Sequence, residues 1–106
     1  MQLLKTLLLF TVLLPLSTLA AEPAGDNKEG ARLFEQRCGL CHRGTGPGVF
    51  MLERRLGAER SILESRKDVA AAYVKTIVRQ GIGSMPRFSR GEITDKELAL
   101  IADYLD

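Results

Sequence analysis

Two cysteines and the chain's single histidine fall together as Cys38-Gly39-Leu40-Cys41-His42. Three chemistries compete for such a pentapeptide. A structural zinc ion asks for four ligands, commonly two Cys pairs or Cys2His2, and two Cys with one His fall short unless a carboxylate joins. A thioredoxin-like dithiol asks for a βαβ setting, and no segment here alternates with the two-residue period of a strand. The C-x-x-C-H spacing suits a covalent haem c. Two thiols three residues apart add to the two vinyl groups on one edge of the porphyrin, forming thioethers. The residue after the second thiol is then carried beneath the iron, where an imidazole nitrogen can coordinate it. Cys38 and Cys41 are therefore the expected attachment points and His42 the expected axial ligand of one haem.

The sixth ligand must come from a short list. His42 is the only histidine, and Met1 belongs to a segment expected to be removed, so Met51 and Met85 remain. Met51 lies within an apolar helical stretch, where a flexible thioether is expected to fill a gap in the core. Met85 follows Gly81-Ile82-Gly83-Ser84 and precedes Pro86. Glycines let backbone approach a flat cofactor closely, and proline stiffens the loop that presents the sulfur. Met85 is the expected ligand.

The elements that must position these residues read as helices. Asp26 or Asn27 can cap a first helix running to about Gln36, with Gly30, Phe34 and Cys38 on one face. Residues 43–48 read as a loop. Residues 50–56 read as a short helix stopped by Gly57. A longer helix is expected over residues 68–80, capped by Asp68, burying Tyr73, Val74, Ile77 and Val78, and ended by Gly81. Pro86 keeps residues 81–90 extended. In the last helix Thr94 and Glu97 form a capping box, Ile93 and Leu98 a hydrophobic staple, and Leu98, Ile101, Ala102 and Leu105 the apolar face. The fold class is all-α, three to five short helices joined by long loops.

The N-terminus is a segment of another kind. Residues 1–21 hold nine leucines and one charge, Lys5. Lys5, the apolar run 7–14, Pro15 and the small residues Thr18 and Ala20 make a secretory signal expected to be cleaved after Ala20. The run is too short and interrupted to span a bilayer, which takes roughly 20 apolar residues. Residues 21–25 read as a disordered leader and 26–106 as the single domain. Export fits the motif, so the expected compartment is the periplasm, with no stable membrane insertion after cleavage.

Without its signal the chain keeps 86 residues, with 14 basic against 13 acidic side chains. Such balance argues against general nucleic-acid binding. A domain this small buries only about 60–65% of its unfolded surface, so an apolar disc is a natural completion of its core. The charge is uneven. Residues 43–90 carry ten basic and four acidic groups, whereas residues 91–106 are net −4. A basic rim of that kind steers acidic partner surfaces; neutralisation within Arg–Glu pairs, such as Glu53 with Arg54 or Arg55, is the competing reading.

Along nearly its whole exported length the sequence resembles a small bacterial class I cytochrome c. The resemblance rests on Gly30 and Phe34, the Cys-Gly-Leu-Cys-His site, Gly46-Pro47, Gly81-Ile82-Gly83-Ser84-Met85-Pro86, and the terminal Ile101-Ala102-Asp103-Tyr104-Leu105. It implies one low-spin haem between crossed N- and C-terminal helices, ligated by His42 and Met85. It also implies close packing of Gly30 on Tyr104, and a Pro47 carbonyl that accepts the proton of the other His42 nitrogen. Gly48-Val49 replaces the usual leucine after the loop proline, and residues 50–67 match no general family feature. Arg54, Arg55 and Arg79 are the candidate propionate partners.

The expected function is a periplasmic one-electron carrier, taking electrons from a dehydrogenase and passing them to an oxidase or another cytochrome. The alternative is a tightly bound cytochrome subunit of a flavin- or quinone-dependent dehydrogenase complex. Residues 73–105 resemble cytochrome subunits of flavocytochromes, and an apolar patch around residues 50–52 or Phe88 favours this alternative. A peroxidase-like enzyme lacks a distal His or Arg pair, so no catalytic residues are expected.

Overall fold

Thr94 and Glu97 exchange hydrogen bonds as their spacing predicts, each side chain accepting from the other's backbone N–H at 3.2 and 2.8 Å. This box starts the last of four α-helices in the computed structural model, which describes residues 24–106. The helices are α1 (Ala24–His42), α2 (Pro47–Leu56), α3 (Ala71–Gln80) and α4 (Asp95–Leu105), with two 3-10 turns, Ala58–Arg60 and Leu63–Ser65, between α2 and α3. The described residues contain no strand, only an isolated bridge between Ile82 and Met85. The chain is all-α, as expected. No helix among the described residues is long and apolar enough to cross a membrane. The signal segment expected over 1–20 lies outside them.

The core forms where α1 crosses α4. A Cβ at Gly30 would lie 2.5 Å from the Leu100 carbonyl oxygen and 2.7 Å from Tyr104 Cβ, so glycine alone admits this approach. One turn on, the Phe34 and Tyr104 rings meet at 5.9 Å with a 51° tilt, near the edge-to-face geometry aromatic pairs favour. Leu33 and Phe34 of α1, Val74 and Val78 of α3, and Leu98, Ile101, Ala102 and Leu105 of α4 join Val69 and Ile93 in one buried cluster. Each large member contributes about 1.5–3 kcal/mol of burial.

Four boundaries differ from the reading of the sequence. α1 continues past Gln36 to His42, because nothing breaks it before Gly44, whose φ of 57° belongs to the left-handed region. It also begins at Ala24, so the last two residues of the expected leader are helical. α2 begins at Pro47 rather than Phe50: proline fits a first helical position, where no N–H donor is needed. α3 begins at Ala71, and Ala70 provides no side-chain cap. Asp68, expected to cap it, is drawn off by Arg60 and Arg66. Tyr73 is 55% exposed rather than buried, and Ile77 is half-buried, because only the Val74–Val78 stripe reaches the cluster.

The segment between α2 and α3 is tied down by polar contacts. Arg43 forks onto both Glu64 carboxylate oxygens at 2.8 Å, and Tyr104 donates its hydroxyl to the same carboxylate. One acidic group thus links the end of α1, the second 3-10 turn and α4. Burial pushes the Glu64 pKa up, but the Arg43 and Tyr104 hydrogen bonds and the Arg43 charge outweigh it, and the net shift is downward.

Candidate haem site

Cys38, Cys41 and His42 occupy positions i, i+3 and i+4 on the last turns of α1, a spacing that places three side chains on one helix face. Both thiols are free; Cys38 is half-buried against the core and Cys41 exposed. Burial, with a smaller effect from Cys41, pushes the Cys38 thiol up to about 11. A thioether at this sulfur has no proton to lose, which suits the partly apolar surroundings.

Burial pushes the His42 pKa down, favouring the neutral imidazole that coordinates metal. Its Nδ1 is buried and has no hydrogen-bond partner. The Pro47 carbonyl, expected as its acceptor, does not receive it in this structure: Pro47 is the first residue of α2, and carbonyls of a helix run along its axis. Two glycines close around this turn instead. A Cβ at Gly46 would lie 2.5 Å from the Leu40 carbonyl oxygen, and one at Gly48 would lie 3.1 Å from His42 Cε1 and Nδ1. Gly48, a departure from the family pattern in the sequence, is thus the residue that lets α2 pass against the imidazole. Val49 beside it is buried.

Met85 is presented by a tight turn. Ile82 and Met85 exchange backbone hydrogen bonds of 3.1 and 2.9 Å, and Gly81 and Gly83 take φ values of 76° and 55°. The strand-like stretch after it is pinned to α3 where Phe88 N–H donates to the Val78 carbonyl at 2.8 Å. Met85 is half-buried and packs on the same core cluster as Cys38. Met51 does not fill the core as expected. It lies on the outer face of α2, 50% exposed, because Val49, Leu52 and Leu56 already occupy the inner one. The structure therefore packs Cys38 and Met85 on one core and leaves Met51 outside it, with His42 one turn beyond Cys38 on α1.

The candidate propionate partners separate too. Arg79 donates to the Phe88 carbonyl and Asp95, although its Nε is buried without a partner. Arg54 stacks over the Phe50 ring at 5.6 Å. Arg55 is exposed. The link from Arg43 to Glu64 and Tyr104 was not legible in the sequence: its partners stand 21 and 40 residues apart, and no local pattern joins them.

Clustered thiols, a neutral imidazole with an orphaned nitrogen, a glycine cradle and a thioether on a braced turn fit a covalently held haem. They define an all-α haem protein of the electron-transfer class. The comparisons agree. The family described as cytochrome c oxidase, cbb3-type, subunit III matches residues 25–105. The cytochrome c subunit of 4-cresol dehydrogenase (hydroxylating) from Pseudomonas putida is 32% identical over 108 residues, 95% of this chain and 82% of that protein. Cytochrome c6 of Cyanidioschyzon merolae is 34% identical over 82 residues, 77% and 74% of the two chains. Cytochrome c6 of Gloeothece citriformis is 29% identical over 104 residues, 98% and 91%. No solved structure gives a significant match. The chain belongs to the small class I cytochromes c, and it is a haem c electron carrier with one covalent haem.

Proposed function

We propose that the haem is held by Cys38, Cys41, His42 and Met85 in a one-electron carrier that works between a dehydrogenase and an oxidase or second cytochrome. The half-buried Met85 on its braced turn, packed on the core that Cys38 shares, is the observation that carries this reading. When bound, the haem iron supplies a reversible one-electron couple. With both His42 and Met85 as ligands the iron would have no open position for O₂ or peroxide, and the chain would act as a carrier rather than an enzyme. A thioether ligand also raises the reduction potential. The test is a mediated redox titration of the holoprotein, with cyanide added to the ferric form at neutral pH. A single reversible one-electron wave without a cyanide adduct is expected. Ready adduct formation refutes the ligand set.

On this reading the carrier works in the periplasm after cleavage following Ala20. Mass spectrometry of the exported protein should find Ala21 at its N-terminus. A chain retaining Met1 in the membrane fraction refutes it.

A second reading, a cytochrome subunit held within a flavin- or quinone-dependent dehydrogenase complex, is favoured by one observation: Phe50 and Met51 are 54% and 50% exposed on α2. The relative in Pseudomonas putida carries such a description. Gel filtration of the native exported fraction separates the two, since a free monomer favours the carrier and stable co-elution with a dehydrogenase the subunit.

A further inference from the structure

The last turn of α1 stands beyond the buried cluster. Leu33 and Phe34 lie within it and Cys38 packs against it, but Leu40 and Cys41 are exposed. A helix end with few apolar contacts opens at little cost, and its last carbonyls have no partners within the helix. Apolar packing alone does not fix the turn that carries His42. Arg43, the next residue, reaches that turn with both its backbone and its side chain. Its N–H donates to the Gly39 carbonyl and its carbonyl accepts from Gly46 N–H, each at 3.0 Å. The second bond closes the turn that brings Gly46 and Gly48 down on the carbonyls of Leu40 and Cys41. The side chain runs back over α1, where the guanidinium carbon lies 5.6 Å from the centre of the Phe34 ring. Nε and Nη2 donate to the two Glu64 oxygens, and Nη1 donates to Glu35. Tyr104 donates to the Glu64 oxygen that Nη2 also reaches. Every guanidinium nitrogen is engaged, and so are both oxygens of the Glu64 carboxylate.

Two other arginines fork onto carboxylates among the described residues, Arg32 on Glu29 and Arg66 on Asp68. Their partners stand three and two residues away, within the same segment. The Arg43 fork instead joins α1 to the second 3-10 turn and, through Tyr104, to α4. It also lies on Phe34, which pairs with Tyr104 at the helix crossing. The residue after the expected iron ligand is thereby tied to that crossing by a planar fork of donors. Such a group fixes orientation, where the point charge of a lysine would fix little more than distance.

We infer that Arg43 is the positioning residue of the axial imidazole. Glu64 and Tyr104 hold its guanidinium, and Arg43 holds the turn in which His42 and the Gly46–Gly48 backbone meet. Groups that orient a ligand without touching the metal are general at metal sites, usually through the second ring nitrogen of a histidine. Here that nitrogen, Nδ1, has no partner, and the orientation comes through the neighbouring residue and the glycine backbone laid against the ring. The inference rests on the ligation proposed above and adds what fixes the plane of the imidazole.

The test is the hyperfine-shifted proton spectrum of the ferric holoprotein, in which the haem ring-methyl and His42 ring resonances report the plane of the imidazole. Arg43→Lys keeps the charge and loses the fork. Glu64→Gln loses the accepting charge, and Tyr104→Phe keeps the ring pair but drops one hydrogen bond. Arg43→Lys and Glu64→Gln should change the spread of the ring-methyl shifts and move the His42 resonances; Tyr104→Phe should do so by less. All three should keep the near-infrared iron–sulfur band, which assigns the change to the imidazole side. Arg32→Lys removes an equally engaged guanidinium from the same helix and should match the wild type. A wild-type pattern in both Arg43→Lys and Glu64→Gln overturns the inference, even with a lowered Tm, because the clamp then serves stability alone. A wild-type pattern in Arg43→Lys beside a changed one in Glu64→Gln overturns it as well, since charge and not the fork then matters. An Arg32→Lys spectrum altered as much as that of Arg43→Lys also overturns it, as does loss of the iron–sulfur band in Arg43→Lys, which moves the disturbance to Met85. If Arg43→Lys yields no holoprotein, Tyr104→Phe decides: an unchanged pattern overturns the inference and a changed one upholds it. A wild type without covalent haem or the iron–sulfur band refutes the ligation itself, a different result.

Discussion

Gly30→Ala tests the helix crossing on which the site is built. The new methyl would sit 2.5 Å from the Leu100 carbonyl oxygen and 2.7 Å from Tyr104 Cβ, where ordinary contact begins at 3.4 Å. Backbone and a Cβ cannot swing aside as a side-chain tip can, so α1 and α4 must part by nearly an ångström. Overpacking of this kind costs about 1–3 kcal/mol, and the rigid obstacles put it at the upper end. A gap of 0.5–1 Å forfeits a quarter to a half of the dispersion across it, as between Phe34 and Tyr104. Replacing glycine by alanine inside a helix returns about 1 kcal/mol, leaving a net loss of about 2 kcal/mol. For a domain of this size that lowers Tm by roughly 8–16 °C. Gly39→Ala is the internal control. It lies in the same helix, and its added Cβ meets nothing closer than 3.5 Å, so it should gain up to about 1 kcal/mol. Thermal melts of both holoproteins, followed at the helix band and the Soret band, decide the matter. A Gly30→Ala protein as stable as wild type refutes the steric argument.

Replacing Cys38 and Cys41 together by Ala should abolish covalent haem and leave the chain largely unfolded, checked by haem-stained denaturing gels and circular dichroism; a well-folded haem-free double variant contradicts this. Met85→Ala should open the iron to water or cyanide, lower the potential and remove the near-infrared iron–sulfur band, whereas Met51→Leu, exposed and matched in volume, should leave the band in place at a cost under about 1.5 kcal/mol. Loss of the band in Met51→Leu reverses the assignment. Glu64→Gln should cost about 1 kcal/mol at neutral pH, since both partners keep solvent contact. The Glu64 pKa is held below its usual 4.5 in the folded state, so its contribution is full above 4.5 and fades as pH falls below it. Denaturant titrations should therefore show the variant converging on wild type in acid, and a constant difference across pH excludes the ionic origin.

How much of this could be read from the chain depended on the range of the interactions. The capping box, the staple and the Leu98–Leu105 face are local rules satisfied within one or two turns, and all form. The attachment motif is likewise local. The end of α1 was placed near Gln36, yet the attachment motif itself stays helical to His42. Asp68 looked like a cap in sequence; two arginines that fold back upon it outcompete the helix amides. Tyr73 fitted the periodicity of α3, but periodicity cannot say how wide a face the neighbouring helices cover. Met51 failed in the same way: an apolar run does not reveal which of its residues turns outward. The Glu64 link needed three distant elements in place before it existed.

α1 joins the helix crossing and the cofactor motif in one unbroken element. Gly30 and His42 are twelve residues apart on it, about 18 Å at 1.5 Å per residue. The helix is therefore a lever pivoting at the crossing, with the imidazole at its far end. A tilt of about 5° at the pivot swings the tip by about 1.6 Å over that length. The Arg43 fork onto Glu64, one residue beyond the tip, acts as the stop that holds the lever in place. Small adjustments at a purely structural contact are thereby geared up into displacements of the imidazole, so residues far from the attachment motif share in fixing where that ring stands.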